Sequence, residues 1–235
     1  YQVTLPEGIV LSRALEILAA EPTLEAVLDG TDDPRLLQLV APHEAPEGLF
    51  LPESYRYERG ASDLDILRRA HDALQRALAT EWEQRAPDLP YATPYEALIM
   101  ASIIERETGV PEEREEIAGV FVRRLELGMR LQTDPTIIYG LGEAFDGNLR
   151  RRHLRDAGNL FNTYRHGGLP PTPIALPGRA AIHAALQPAA GDALFFVARG
   201  DGTHEFNATL EGHERAVRKY QLQRRDDYRS TPGTQ

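Results

Sequence analysis

The sequence predicts an α+β fold: a single domain in which helices surround a small, mostly antiparallel sheet. Apolar residues recur every three or four positions along most of the chain, which is typical of amphipathic helices. They alternate with polar residues in only a few short segments, which is typical of strands. The length of 235 residues suits one large domain.

Composition excludes several classes of protein. With 42% hydrophobic and 26% charged residues, the chain resembles an ordinary globular protein rather than a disordered or fibrous one. A net charge of −10 argues against a nucleic-acid partner, because binding phosphates requires a basic surface. Cysteine is absent, and the seven histidines show no spacing typical of metal ligands. We therefore expect no metal and no cofactor.

The first elements are predicted in chain order. Val3 and Leu5 alternate with polar residues and predict a strand, and Leu11, Leu15 and Leu18 fall on one face of a helix over residues 11–20. An aromatic-rich, extended segment follows within residues 41–60, and a long helix is predicted over 62–85. We expect an N-terminal α/β portion (1–60), packed on a core (61–227) that ends in a polar tail (228–235).

The helix over residues 94–108 has the clearest local signals. Thr93 and Glu96 form a capping-box pattern, and Pro94 suits the first helical position. Residues 97–104 are apolar on nearly all sides, so we expect this helix at the centre of the core. An amphipathic helix from Pro111 to about Gly128 comes next.

The segment 129–177 is predicted to be largely irregular, with polar clusters and a glycine- and proline-rich stretch at 167–173. Such a long irregular segment within a compact domain is usually functional. A short helix over 178–187 follows, then a hairpin of strands at 193–199 and 204–207, and a closing helix over about 209–227.

Two carboxylates end the predicted central helix. Glu105 and Glu107 lie about 200° apart around a helix, so their side chains cannot share one face. Glu107 follows Met100, Ile103 and Ile104 at helical spacing, and an apolar setting raises a carboxyl pKa towards the range of a general acid. The alternative is a solvated helix end, although the helix dipole disfavours carboxylates there.

Ten short motifs follow one another along the chain: residues 50–55 (FLPESY), 101–108 (ASIIERET), 120–125 (VFVRRL), 128–136 (GMRLQTDPT), 139–140 (YG), 162–164 (NTY), 168–171 (GLPP), 177–178 (PG), 196–198 (FVA) and 202–207 (GTHEFN). Together, and in this order, they resemble the YceG-like family of endolytic murein transglycosylases. The resemblance covers residues 1 to about 225.

The resemblance implies a lyase that cleaves the MurNAc–GlcNAc bond within peptidoglycan glycan strands and leaves 1,6-anhydroMurNAc ends. Glu107 matches the essential glutamate, and Glu105 is the secondary candidate. The family also carries an N-terminal membrane helix and a LysM-like segment. This chain shows neither and begins with Tyr1, so we expect an excised catalytic portion of a protein anchored on the extracytoplasmic face of the membrane. Peptidoglycan synthases are the implied protein partners.

The mechanism implied by the resemblance needs one carboxyl, because the muramic acid 6-hydroxyl attacks its own anomeric carbon. Six residues have donors, acceptors or rings suited to holding the glycan: Gln132, Thr133, Asp134, Asn162, Tyr164 and Asn207. Structural alternatives stay open, since Asp134 before a proline suits a helix N-cap, the asparagines can close turns and Tyr164 can be a core aromatic.

Two other functions remain open from sequence. A hydrolase could use the same site with water as the nucleophile, and would leave reducing ends instead of anhydro ends. A non-catalytic, peptidoglycan-binding scaffold of the elongation machinery would leave no new chain ends.

Overall fold

A computed structural model describes residues 1–222 and combines helices with two small antiparallel sheets. The predicted α+β class is therefore confirmed, and the strands form two separate two-stranded ladders. The predicted tail at 228–235, and the end of the predicted closing helix after residue 222, lie outside the described residues.

The N-terminal portion is built on the first ladder. Strand β1 (Gln2–Thr4) pairs with β2 (Ser54–Arg56), and Val3 lies opposite Tyr55. Between these strands lie α1 (Leu11–Ala19) and α2 (Pro34–Leu39). The buried side chains of β1, α1 and β2 join the same hydrophobic core as those of the later helices.

The long third helix, α3 (Asp63–Glu83), closely matches its prediction. Ser62 and Asp65 form a reciprocal capping box: the Ser62 hydroxyl accepts from the Asp65 N–H at 3.1 Å, and the Asp65 carboxylate accepts from the Ser62 N–H at 3.0 Å.

The central helix is α4 (Pro94–Glu107), in which every residue from 97 to 104 is buried. It packs against α3, α5 (Arg114–Glu126), α6 (Asp134–Leu141) and α8 (Arg179–Leu186). The prediction that this helix lies at the centre of the core is confirmed. Its C-terminal end, which carries Glu105 and Glu107, is thereby held in place on several sides.

The segment 129–177 is less irregular than predicted, because it contains α6 and the short helix α7 (Arg151–Arg155). Pro135 lies in the first turn of α6, where its fixed φ favours a helix, and Ile137 of this helix is fully buried. The stretch 167–173 has no regular structure, as predicted.

The C-terminal part forms the predicted hairpin of β3 (Phe195–Ala198) and β4 (His204–Asn207). Helix α9 (Leu210–Val217) follows and continues into a π-helical turn over Arg218–Leu222. Helix α9 packs on both strands, and β3 also contacts α5, so this unit lies beside the central helices.

Candidate active site

The end of α4 separates the two carboxylates as the helical geometry predicts. The Glu105 carboxylate accepts from the Gly178 N–H at 2.9 Å and lies 3.5 Å from an Arg114 guanidinium nitrogen. Its side chain is only 6% exposed, and burial raises its pKa. Because Gly178 is the N-cap residue before α8, Glu105 joins the end of one helix to the start of another.

Glu107 points to a different set of partners. The Thr133 hydroxyl donates to Glu107 Oε1. Burial raises the pKa of Glu107 to about 7, opposed by the Thr133 hydrogen bond and the positive charge of Arg124 and reinforced by the negative charge of Asp134. A carboxyl with a pKa near neutrality can be protonated and still release its proton, which general acid–base catalysis requires.

Glu107 lies in the wall of a cavity of about 640 Å³. One side of this cavity is the loop that carries residues 131–135, together with Tyr164. The other side is formed by the β3–β4 hairpin and α9, including Phe195, His204 and His213. The volume lies within the range of about 300–1,000 Å³ that is usual for ligand sites.

Four predicted substrate-binding residues meet Glu107 here. Gln132, Asp134 and Tyr164 line the cavity, and Thr133 binds Glu107 directly. The loop is held against residue 163, because the Gln132 N–H donates to the Thr163 carbonyl at 3.2 Å and the Thr133 N–H donates to the Thr163 hydroxyl at 3.0 Å. Whether these side chains contact a sugar stays a prediction.

Asp134 does not cap α6 in the way that its position before a proline suggested. The helix begins at Asp134 itself, and Thr133 precedes it as the cap residue without a side-chain capping bond. The Asp134 carboxylate instead accepts from the Tyr164 hydroxyl at 2.8 Å. The capping alternative was therefore wrong, and both side chains face the cavity.

The structure does not bring the two predicted asparagines into this cavity. Asn162 is fully buried, and its amide nitrogen donates to the carbonyls of His153 and Asp156 at 3.0 and 2.7 Å. Its amide oxygen accepts from the Tyr164 N–H at 3.0 Å, so Asn162 holds the loop that carries Tyr164. Asn207 ends β4 and lies beside the start of α9, away from the cavity lining.

Arg124 is a residue that the sequence analysis did not select. It is 7% exposed, and its guanidinium donates to the carbonyls of Leu194 and Leu131. These bonds join the hairpin to the loop before Gln132, and the guanidinium also lies 5.3 Å from the Phe195 ring centre. A signal was present, since position 124 falls on the apolar face of its helix.

His204 was also missed, and it is fixed by a carboxylate. Its ring Nδ1 lies 2.7 Å from Glu113 Oε2, and its backbone N–H donates to Glu113 Oε1 at 2.7 Å. Glu113 precedes α5, so the two bonds tie the hairpin to the segment that follows α4. The long separation in sequence left no local signal for this pair.

Two further properties concern residues 1–222. Within this range, no three His, Cys, Asp or Glu side chains are grouped so that they could hold a metal ion. The helices of the same range all lack the combined length and hydrophobicity needed to cross a lipid bilayer.

Comparisons with known proteins agree on one family. The curated relatives are endolytic murein transglycosylases: one from Bacillus subtilis is 29% identical, with 94% of this chain and 65% of the relative aligned. One from Streptococcus pneumoniae is 26% identical, with 93% and 44% aligned. The chain thus spans less than two thirds of either relative.

A crystal structure of a putative YceG-like protein from Listeria monocytogenes has the same fold. Its TM-score is 0.76 at 30% sequence identity, and the alignment covers 91% of this chain and 75% of that one. Residues 1–219 match the profile of the YceG-like family, which is 219 of the 235 residues. The chain belongs to the YceG-like family.

Proposed function

We propose that this chain is the catalytic portion of an endolytic lytic transglycosylase that cleaves peptidoglycan glycan strands. The observation that carries the proposal is Glu107, a partly buried carboxyl whose pKa is raised to about 7 in the wall of a large cavity. The names of the curated relatives support the same activity and substrate.

The reaction needs Glu107 in two roles. Protonated Glu107 donates its proton to the glycosidic oxygen while the bond from that oxygen to the muramic acid anomeric carbon breaks. The muramic acid 6-hydroxyl then attacks the anomeric carbon and gives its proton to the Glu107 carboxylate, which restores the acid. No water is consumed, and the intramolecular attack supplies the proximity that a bound water otherwise provides.

The other residues of the cavity would support this chemistry. The Thr133 hydroxyl and the Arg124 guanidinium favour the ionised form of Glu107, which exists between the two proton transfers. Gln132, Asp134 and Tyr164 line the same cavity and would bind the sugars. Positive charge develops on the anomeric carbon in the transition state, and the Asp134 carboxylate is suited to stabilise it.

Asp134 also gives a reason to retain the hydrolase as a second candidate. A second carboxylate in the same cavity is what a glycosidase needs to direct a water molecule. Under that mechanism, Asp134→Asn removes the base and abolishes cleavage. Under the lytic mechanism, the same substitution slows cleavage and the products keep their 1,6-anhydro ends.

The decisive experiment is digestion of purified sacculi, followed by identification of the new chain ends. We expect 1,6-anhydro ends from the unmodified chain and a loss of about 10²–10⁴-fold in rate for Glu107→Gln. Glu105→Gln is the matched control, because it makes the same change two residues away on a carboxylate bonded to Gly178. Reducing ends would establish the hydrolase, and binding without new ends would establish the scaffold.

The proposal extends to the place of action and to partners. Peptidoglycan lies outside the cytoplasmic membrane, so the chain would act there, held by the N-terminal anchor that the family resemblance implies. Peptidoglycan synthases that elongate the same strands would be its partners, since cleavage within a strand ends its growth. Capture of a tagged, anchored full-length protein together with synthases would test this extension.

A further inference from the structure

A second cavity, of about 440 Å³, lies next to the candidate active site. Arg106 and Pro135 line both cavities, so the two are neighbours separated by these side chains. Arg106 is held in place by its hydrogen bond to the Gly8 carbonyl, at 2.8 Å. The proposed reaction uses none of the residues that belong to the second cavity alone.

A buried carboxyl forms part of the wall of the second cavity. Glu47 is 8% exposed, and its two oxygens accept from the Leu11 N–H at 3.1 and 3.2 Å. The Tyr139 hydroxyl donates to Glu47 Oε2 at 3.4 Å. Burial raises the pKa of Glu47 to about 7, so near neutral pH this carboxyl can either donate or accept a hydrogen bond.

The lining of the second cavity mixes hydroxyl groups with aliphatic side chains. Ser12, Thr31 and Tyr139 supply the hydroxyls, while Ile138 and Ile174 supply apolar surface. An N-acetylated pyranose has the same mixture, because its hydroxyls and amide are polar and its ring hydrogens and acetyl methyl are apolar. This match favours a sugar over a purely apolar or purely ionic ligand.

The charges of the lining also favour a neutral ligand. Its ionisable acid and base side chains are Glu47, Glu143 and Arg106, two acidic groups and one basic. Glu47 is only partly ionised near neutral pH, so the lining has no excess of positive charge to attract an anionic peptide stem. A neutral sugar needs no such attraction.

We propose that the second cavity binds an N-acetylated sugar unit of the same glycan strand whose bond is cleaved at Glu107. The inference rests on the proposed function, because it takes the glycan strand as the substrate. Cleavage within a strand leaves sugars on both sides of the broken bond, and the wall shared through Arg106 and Pro135 allows one strand to reach both cavities. Long strands are then preferred, because they gain contacts that short strands cannot reach.

The test compares peptide-free strands, fractionated by length, as substrates. Ser12 lines the second cavity from an exposed position in the first turn of α1, so Ser12→Trp should fill the cavity without entering the buried core. We expect it to reduce the ratio of kcat/KM for long over short strands by roughly tenfold, which corresponds to about 1.4 kcal/mol of lost binding free energy. The matched control is Arg13→Trp, also exposed, adjacent on α1 and outside both linings, which should keep the ratio of the unmodified chain.

A second variant uses a smaller change. Tyr139→Phe removes the hydroxyl beside Glu47 and keeps the ring, whose centre lies 4.8 Å from that of Phe161. The ratio should fall by about 2–10-fold, the effect of one hydrogen bond. The affinity for long strands should fall in both variants, and more in Ser12→Trp than in Tyr139→Phe. This affinity is measured in a Glu107→Gln background, so it does not depend on catalysis.

Several results would overturn the inference. They are an unchanged ratio in Ser12→Trp, an equal loss on long and short strands, and a loss that occurs only when the strands carry peptides. The last would assign the cavity to the peptide stem. If the proposed function is wrong, the unmodified chain produces no 1,6-anhydro ends. The binding measurement then still tests whether the second cavity binds a sugar.

Discussion

The hydrogen bond from Thr133 to Glu107 makes a sharp prediction about pH dependence. Thr133 is 2% exposed, and its hydroxyl donates to the Glu107 carboxylate, which lowers a pKa that burial has raised. Thr133→Val preserves the shape of the side chain and removes this donor. The backbone N–H of residue 133 keeps its bond to the Thr163 hydroxyl, so the loop stays attached.

The direction follows from which form of Glu107 is active. The protonated carboxyl starts the reaction, so kcat/KM falls as the pH rises through the pKa of about 7. Removing a donor to the carboxylate disfavours the ionised form and raises this pKa. A hydrogen bond to a charged group contributes about 1.5–3 kcal/mol, and one pKa unit corresponds to about 1.4 kcal/mol. The alkaline limb should therefore move up by about 1–2 units.

The assay measures kcat/KM as a function of pH, and the release of 1,6-anhydro products reports the rate. Thr133→Ser retains the hydroxyl and should retain the limb. Thr136→Val serves as a structural control, because Thr136 is fully buried on the same segment and bonds the Thr133 carbonyl rather than Glu107. A limb that moves to lower pH in Thr133→Val, or moves equally in Thr136→Val, would refute the reasoning.

Three further predictions concern stability and binding. Burial raises the pKa of Glu107 from 4.5 to about 7, so the folded state binds more protons between these values and stability falls as the pH rises through them. At pH 8, Glu107→Gln should therefore unfold at a higher urea concentration than the unmodified chain, and its free energy of unfolding should be higher by at most about 3 kcal/mol. A lower urea midpoint would contradict this. Glu105→Ala leaves the Gly178 N–H and Arg114 without their partner, and should destabilise by about 1–3 kcal/mol with unchanged activity per folded molecule. Gln132 has a φ of 53°, so Gln132→Gly should stabilise by about 0.5–1 kcal/mol while KM for strands rises; a KM that stays constant would remove Gln132 from the binding surface.

The central helix was predictable because its signals are local. A threonine cap, a proline at the first helical position and an apolar run specify where α4 begins and that it is buried, without reference to the rest of the chain. The separation of Glu105 from Glu107 follows from the helical repeat alone. The choice of Glu107 over Glu105 depended on the apolar residues that precede each of them at helical spacing. In the structure, Glu107 lines the cavity.

The short helices were harder to foresee. Helix α6 has eight residues and α7 has five, too few for a period of 3.6 to be distinguished from irregular chain. Their positions are instead stabilised by contacts from residues outside the helices. The Asn162 amide, for example, binds the carbonyl of His153 in α7.

The cavity wall opposite the loop could not be derived from sequence spacing. Arg124 reaches Leu194, 70 positions later, and His204 reaches Glu113, 91 positions earlier. The buried position of Arg124 on an apolar helix face was the one available signal, because a charge in such a place requires partners. The loop side was predictable because its polar residues are consecutive.

The arrangement around Glu107 matches what one carboxyl requires if it is to act as acid and then as base. A strongly raised pKa would keep the carboxyl protonated but make it a weak proton donor, and an ordinary pKa would leave it ionised before the reaction begins. Here burial and Asp134 raise the pKa while Thr133 and Arg124 lower it, and the result lies near neutrality. Because the lowering groups come from two elements and act by different means, loss of either shifts the balance towards the protonated form. Such losses should therefore slow the first step, in which Glu107 donates its proton and becomes an anion, more than the second step, in which Glu107 recovers a proton.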